Sequence, residues 1–317
     1  MLVYSGYNNK MGIVTIPVKA LGERIMQDEL DSLGGNTRER LEYLEWRLFW
    51  EGRLNRADLM EQFDISKPQV SVDLRKYKQI AENNIIYNPA KKHFAPAPRM
   101  KPRLLKISST RLLLQLRALS ENVISRNAVW FKTLPDFDVL PDLRSEVKAS
   151  VLRRVLRAIR RKRSMNIVYR SLNGAVEREV SPHALGFDGQ RWHTRAWCYK
   201  NAEFRDFVLT RIEKASKTKA CNVDPKADSD WAETIDLVLH ANPKLSPEQR
   251  NTVEKDYGMK GGKRTLTIRR ALAFYLIQNL DLDIDGLPPK RNQLRLYNRD
   301  DVFNRINWQR TEVEICS

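Results

Sequence analysis

Residues 37–98 carry the pattern that most restricts the fold: three short helical periodicities and then a hairpin with a basic tip. Leu41, Leu44, Leu48 and Phe49 recur at helical spacing, with Thr37 as an N-cap candidate and Gly52 as the stop. Asn55 is placed to cap a second helix that carries Leu59, Met60 and Phe63. After a break at Asp64-Ile65, Ser66 starts a third helix. Gln69 follows three residues later, as in a capping box, and Val70, Leu74 and Tyr77 form the apolar stripe. Ile85, Ile86 and Tyr87, then His93, Phe94 and Ala95, flank Asn88-Pro89-Ala90-Lys91-Lys92. Three helices followed by a basic hairpin is the order of a winged helix-turn-helix.

In that fold the third helix enters the major groove, where all four base pairs present different donors and acceptors. Its outward candidates are Ser66, Lys67, Gln69, Ser71, Val72 and Arg75. Gln69 suits adenine, Arg75 or Lys67 suits guanine or phosphate, and Val72 suits a thymine methyl. Lys91 and Lys92 on the wing suit phosphates or the adjacent minor groove. The first two helices are instead acidic, through Glu39, Glu42, Glu45, Glu51, Asp58 and Glu61. Positive charge therefore gathers where such a fold meets DNA; the plainer alternative is a winged helix used for protein contact.

The whole chain has the same bias. Its 317 residues hold 56 Lys and Arg against 39 Asp and Glu, a net charge of +17, which calls for a polyanionic partner. A membrane is the weaker choice. No apolar run of about 18 residues is present to span one, and the N-terminus lacks the basic start and apolar core of a signal peptide. Cys198, Cys221 and Cys316 show no metal spacing and no disulfide framework, so a reducing cytoplasm is expected.

Residues 1–36 read as an N-terminal extension or flexible arm, or else as carrying an extra helix from Ala20 to Leu33 packed on the next domain. Residues 99–144 read as a linker and bridging helix: Pro96, Pro98 and Pro102 mark the linker, and Ser108 to Val123 carries Leu112, Leu113, Leu116 and Leu119. Ser145 to Arg163 is a helix ending in Arg153, Arg154, Arg157, Arg160, Arg161, Lys162 and Arg163. Either that face is simply solvated, or it faces phosphate or a ligand. Five strands then follow, over Asn166–Tyr169, Ala175–Val180, Ala184–Phe187, Trp192–Tyr199 and Phe204–Ile212, with Asn173-Gly174 at a hairpin. Short strands joined by tight turns suggest a small β-barrel. From 231 onward a strand at Thr234–His240, a helix from Ser246 to Gly258, a strand at Leu266–Ile268, a helix at Ala271–Leu280 and a strand at Leu294–Tyr297 suggest a small α/β module. The fold class is thus α+β and multidomain.

Catalytic signatures are missing: there is no nucleophile elbow, phosphate-binding loop, dinucleotide glycine pattern or paired-histidine zinc motif. No cofactor and no metal is expected. His183 and His193 on candidate neighbouring strands are the sole weak hint of a metal, with no further ligands in view. Ser181 to Ile212 places His193, Arg195 and Trp197 on one strand face, and continues through Arg205 and Arg211. Guanidinium groups suit phosphate and aromatic faces suit bases, so this is an anion-binding floor or else a surface of solvated arginines.

This stretch resembles a WYL domain, an Sm/SH3-like β-barrel that senses ligands in bacterial transcription regulators. The preceding winged helix and the following α/β module resemble that family's DNA reader and its C-terminal WYL extension (WCX) domain. The naming tripeptide is here Trp192-His193-Thr194. With Ser181-Pro182-His183 upstream and Arg205-Asp206-Phe207-Val208-Leu209-Thr210-Arg211-Ile212 downstream, it is similar to the BrxR/CapW branch, homodimeric repressors of anti-phage defence operons. The resemblance implies a DNA reader at 37–98, a WYL effector-sensing domain at 145–224 and a WCX dimerisation domain at 225–317. It implies that Tyr169, Ser181, His183, His193, Arg195, Arg205 and Arg211 line or support an effector pocket. The expected function is a homodimeric, sequence-specific repressor of an inverted-repeat operator that responds to an anionic nucleotide or nucleic-acid effector. An activator of the same architecture is the first alternative, and a nucleic-acid-processing enzyme is a weaker one.

Overall fold

The computed structural model describes residues 33–308. The expected extension, its helix and Cys316 fall outside these residues, apart from Leu33 onward. The chain divides into two compact units, with the boundary after Asp142.

In the first unit, α1 spans Gly35–Glu51, α2 Arg56–Phe63 and α3 Lys67–Ile80, followed by the antiparallel hairpin of β1, Ile85–Asn88, and β2, His93–Pro96. The helix α1 starts two residues before Thr37 and stops at Gly52, whose φ of 68° is left-handed and costs a glycine little. Asn55 and Asp58 close the start of α2, with the Asn55 N–H donating to Asp58 Oδ2 at 2.7 Å. Leu41, Leu44, Leu48, Leu59, Val70 and Tyr77 are fully buried in one core. Phe49 is the exception to the expected stripe: it lies 39% exposed on the outer side of α1. Leu54 exchanges both backbone hydrogen bonds with Phe94 and so extends the hairpin by one bridge, which no sequence pattern announced.

The helix α4, Ser109–Ser120, is capped by Ser108 and buries Leu116, whereas Leu113 and Leu114 stay exposed. The chain on either side of it returns to the winged helix. Backbone N–H groups of Arg103, Leu104 and Leu105 donate to the Glu45 carboxylate at 2.8 Å. Trp130 and Phe131 pack edge-on against Trp46. Lys132 Nζ lies 2.6 Å from Asp58 Oδ1.

In the second unit, α5 spans Ala149–Arg161 and lays Val151, Val155 and Ala158 on a sheet built from β3, Arg163–Ser171, β4, Gly174–Phe187, β5, Trp192–Cys198, β6, Glu203–Val208, and β7, Ile212–Ala215. The strand order is β6-β5-β4-β3-β7, and the short β8, Lys219–Ala220, also pairs with β3. The structure differs from the sequence reading in three ways. The second and third expected strands are one long β4, because a bulge between Pro182 and Ala184 absorbs the irregularity that looked like a break. The fifth expected strand is cut by a 3-10 turn at Leu209–Arg211. Finally, the edge strands β6 and β7 do not pair with each other, so hydrogen bonding leaves an open sheet where a closed barrel was expected.

The remainder of the unit contains a second antiparallel sheet of β9, Thr234–Ala241, β10, Lys263–Arg269, and β11, Leu294–Leu296, in the order β10-β9-β11. Around it lie α6, Ser229–Ala232, α7, Pro247–Asp256, α8, Arg270–Asn279, and α9, Arg299–Arg305. The expected alternation of strands and helices is present. Ser246 and Gln249 form a reciprocal capping box, at 3.0 and 3.3 Å. Two helices carry no clear periodicity in the sequence: α9, which buries Val302 against the sheet, and the single turn α6.

Candidate nucleic-acid interface and anion-binding cleft

Residues Ser66, Lys67, Val72 and Arg75 of the recognition segment are exposed, as are Lys91 and Lys92 at the wing tip. Ser71 is half-buried, and its Oγ donates back to the Lys67 carbonyl at 3.1 Å. Gln69 is committed differently from the sequence reading. Its backbone N–H reaches Ser66 Oγ at 3.4 Å, but its side-chain Nε2 donates to Asp73 Oδ1 at 3.0 Å instead of returning to the cap. Asp73 is buried and accepts a bidentate pair from Arg40, at 2.7 and 3.1 Å. One chain of contacts therefore runs from α1 through Asp73 to Gln69 in the first turn of α3, and it fixes that helix against the first. Tyr77 adds a second tie by donating to buried Glu45 at 3.1 Å.

The second unit holds a cleft of about 470 Å³. Tyr169, His193, Arg195, Arg205 and Arg211 line it, together with Arg178, Arg191, Lys200 and Arg270, which sequence reasoning did not single out. Tyr169, Phe204, Phe207, Phe274 and Tyr275 supply aromatic surface. Ser181 and His183 lie elsewhere, beside a much smaller cavity with Lys162, Arg163 and Cys221. Ser181 shares a hydrogen bond with the Tyr199 hydroxyl at 3.1 Å.

The cations in the cleft are of two kinds. Arg195 is buried and saturated by carboxylates: it donates to Asp228 at 2.8 and 3.1 Å, to Asp206 at 3.3 Å and to Asp230 at 3.3 Å. Arg191 is paired with Asp188, and Arg270 with Asp230 and Glu233. Arg178, Lys200 and Arg211, by contrast, have no carboxylate partner among the described residues; Arg178 donates instead to the neutral Asn201 side-chain oxygen at 3.1 Å. Asp228 is the hub. It sits just before α6, accepts from Arg195, and lies 2.9 Å from His183 Nε2. His193 holds Asp188 at 2.7 Å. The two histidines thus serve separate carboxylates, and among the described residues no three His, Cys, Asp or Glu side chains gather as a metal would require.

Charge balance around Arg195 is uneven. Burial pushes the Asp228 carboxyl up, but hydrogen bonds from His183 and Arg195 outweigh this and hold it well below its ordinary value. Burial raises Asp206 above its ordinary value despite the nearby Arg195 and His193. Burial lowers the Arg195 guanidinium, and Asp206 and Asp228 more than compensate, so the arginine stays charged. An unfolded Asp titrates near 3.9, so the stability from Asp228 is complete above about pH 4 and is lost as pH falls toward its depressed folded value. Asp206 acts in the opposite sense: its ionised form burdens the fold at neutral pH, and protonation relieves that burden. Asp228→Asn is expected to melt at a lower temperature than the parent at pH 7. It should also lose less on acidification from about pH 5 to about pH 3, by circular dichroism. Parallel losses in the two proteins would show that Asp228 does not carry this dependence.

Comparison with known proteins follows the same division. Residues 36–118 match the model described as BrxR transcriptional regulator winged helix-turn-helix domain, 150–216 the WYL domain, and 234–302 the BrxR transcriptional regulator C-terminal dimerization domain. The DNA-binding transcriptional repressor CapW of Stenotrophomonas maltophilia is 36% identical over 247 residues, covering 77% of this chain and 83% of that one. The chain belongs to the BrxR/CapW family of WYL-domain transcriptional regulators. Other family members agree: CapW of Escherichia coli (strain KTE188) is 34% identical over 271 residues, covering 83% and 90% of the two chains. CapW of Pseudomonas aeruginosa is 35% identical over 275 residues, covering 85% and 91%. Among solved structures, the proteasome accessory factor B/C of Arthrobacter aurescens aligns at 15% identity over 94% of this chain and 54% of its own, with a TM-score of 0.24, too low to compare arrangements. The family is one of regulators, which sets aside the enzyme alternative.

Proposed function

We propose that this chain is a homodimeric, sequence-specific DNA-binding transcriptional repressor of an anti-phage defence operon, working in the cytoplasm and released by an anionic effector. The observation that carries the reading is the exposed basic end of α3 and wing tip, in a chain 34–36% identical to repressors over most of its length. The reader spans 37–98, the effector-sensing WYL domain 145–224 with an Sm/SH3-like strand arrangement, and the dimerising domain 225–317. Two readers related by a two-fold axis recognise an inverted repeat. Lys67, Arg75, Lys91 and Lys92 anchor on phosphate or guanine, while Ser66, Gln69, Ser71 and Val72 face base edges.

The effector enters the cleft, where Arg178, Lys200 and Arg211 are cations with no carboxylate partner to compete with a phosphate and the aromatic walls accept a base. Tyr169, His193, Arg195 and Arg205 line it with them, His183 supports Arg195 through their shared Asp228, and Ser181 acts through Tyr199. Effector and operator binding oppose one another by a common factor.

Two substitutions test the halves of this reading. Gln69→Ala should weaken operator binding by about 1–3 kcal/mol and leave non-specific binding alone, because its amide exchanges Asp73 for adenine. Equal losses on operator and shuffled duplex remove Gln69 from the reading set. Arg211→Ala should leave folding and operator affinity unchanged and keep a reporter repressed during phage challenge. Normal derepression in that strain would count against the cleft.

A further inference from the structure

The arginines of α5 take no part in either site above. Arg153, Arg157 and Arg160 lie on one row of the helix, and Arg154 and Arg161 lie together on one side of it. All but half-buried Arg154 are exposed. None of the five has a hydrogen-bond or ion-pair partner among the described residues. The sequence offers no neutralisation nearby, since no Asp or Glu occurs between Glu146 and Glu177. The opposite face buries Val151, Val155 and Ala158 against the sheet, so the basic row is held rigidly outward.

The helix dipole accounts for only part of this. Cations are favoured at a helix C-terminus, which suits Arg160 and Arg161. Arg153, Arg154 and Arg157 stand in the middle turns, beyond the reach of either end of the dipole, which therefore does not account for them. Solubility is no better an explanation, because soluble faces intersperse both signs. An unneutralised row of arginines whose Cβ atoms stand about 5–6 Å apart on a packed helix is what a phosphate backbone neutralises. The helix Ala149–Arg161 carries no aromatic side chain on which an unpaired base could stack, which favours a duplex over a single strand.

We propose that the Arg153–Arg157–Arg160 row of α5 is a second DNA contact, binding the phosphate backbone of duplex DNA without reading sequence, in addition to the winged helix.

The test uses the full chain, a labelled random 40-bp duplex and a 40-nucleotide oligothymidylate, with fluorescence anisotropy across a salt series. Arg153→Gln/Arg157→Gln/Arg160→Gln should flatten the duplex log K against log salt slope by about 2.7, and weaken duplex binding on the order of a hundredfold near physiological salt. The triple Lys variant, which keeps the charge, should restore most of the loss; this separates lost charge from lost folding. Unchanged slopes on the duplex would overturn the proposal, as would a loss confined to the oligothymidylate. The outcome is independent of the repressor reading. Phosphate contacts carry no sequence information, so operator preference should persist in the Gln variant.

Discussion

Arg195→Ala should destabilise the second unit by about 3–5 kcal/mol, because it strands buried carboxylates without their cation. Arg195 is 6% exposed and holds Asp228 through two hydrogen bonds, with Asp206 paired opposite it across β5 and β6. Its position among cleft residues invites a different reading, that it meets the ligand directly. The geometry argues for a structural part: its donors are spent on Asp206, Asp228 and Asp230, and it ties the first sheet to the segment preceding α6. A denaturant melt of Arg195→Ala beside Arg211→Ala separates the two. The first should lose most of the unit's stability, and the second almost none, since Arg211 has no carboxylate partner among the described residues. Similar melts for both would mean that the Arg195 pairs contribute little.

Asp73→Ala should cost the winged helix a comparable amount, about 3–5 kcal/mol, by leaving buried Arg40 uncompensated. Here the effect extends to function. Asp73 links α1 to α3 and also holds the Gln69 amide. Its loss therefore frees the recognition helix as well as destabilising it, and operator affinity should fall even at temperatures where the variant stays folded. Asp73→Asn, which keeps one acceptor oxygen, should fall between the two. Binding curves for the three proteins at about 10 °C, with folding checked by near-ultraviolet circular dichroism, decide this. Full operator affinity in folded Asp73→Ala would show that the link does not position the reader.

Local signals were the legible ones. Ser66, Asn55 and Ser246 began helices where their side chains said they would, and the stripe of Val70, Leu74 and Tyr77 is buried. These depend on contacts within four residues. The open sheet was not legible, since barrel closure depends on whether two distant edges pair, and a 3-10 turn of Leu209–Arg211 prevents β6 from running on into β7. The continuity of β4 through Pro182 was hidden for a similar reason: a bulge and a break look alike in one strand until its partner is known.

At the site, the cationic and aromatic pattern of Ser181–Ile212 suggested an anion-binding surface, and the family resemblance supplied the full set; Tyr169, His193, Arg195, Arg205 and Arg211 line the cleft, whereas Ser181 and His183 lie beside the smaller cavity. The pattern could not show which arginines were already neutralised. The partners that decide this, Asp228 and Asp230, lie 33 and 35 residues from Arg195. The proline-rich stretch after 96 likewise looked like a free linker, because the Glu45 carboxylate that binds its backbone lies almost 60 residues earlier.

The central claim, sequence-specific DNA recognition, is tested most directly by fluorescence anisotropy on two labelled duplexes across a salt series. One duplex is the region upstream of the chain's own gene, and the other is its shuffled sequence. A preference of about a thousandfold or more for the native sequence, persisting at physiological salt, is the predicted result. Equal affinity for both duplexes, falling steeply and in parallel with salt, would show that only the phosphate backbone is read and would contradict the claim.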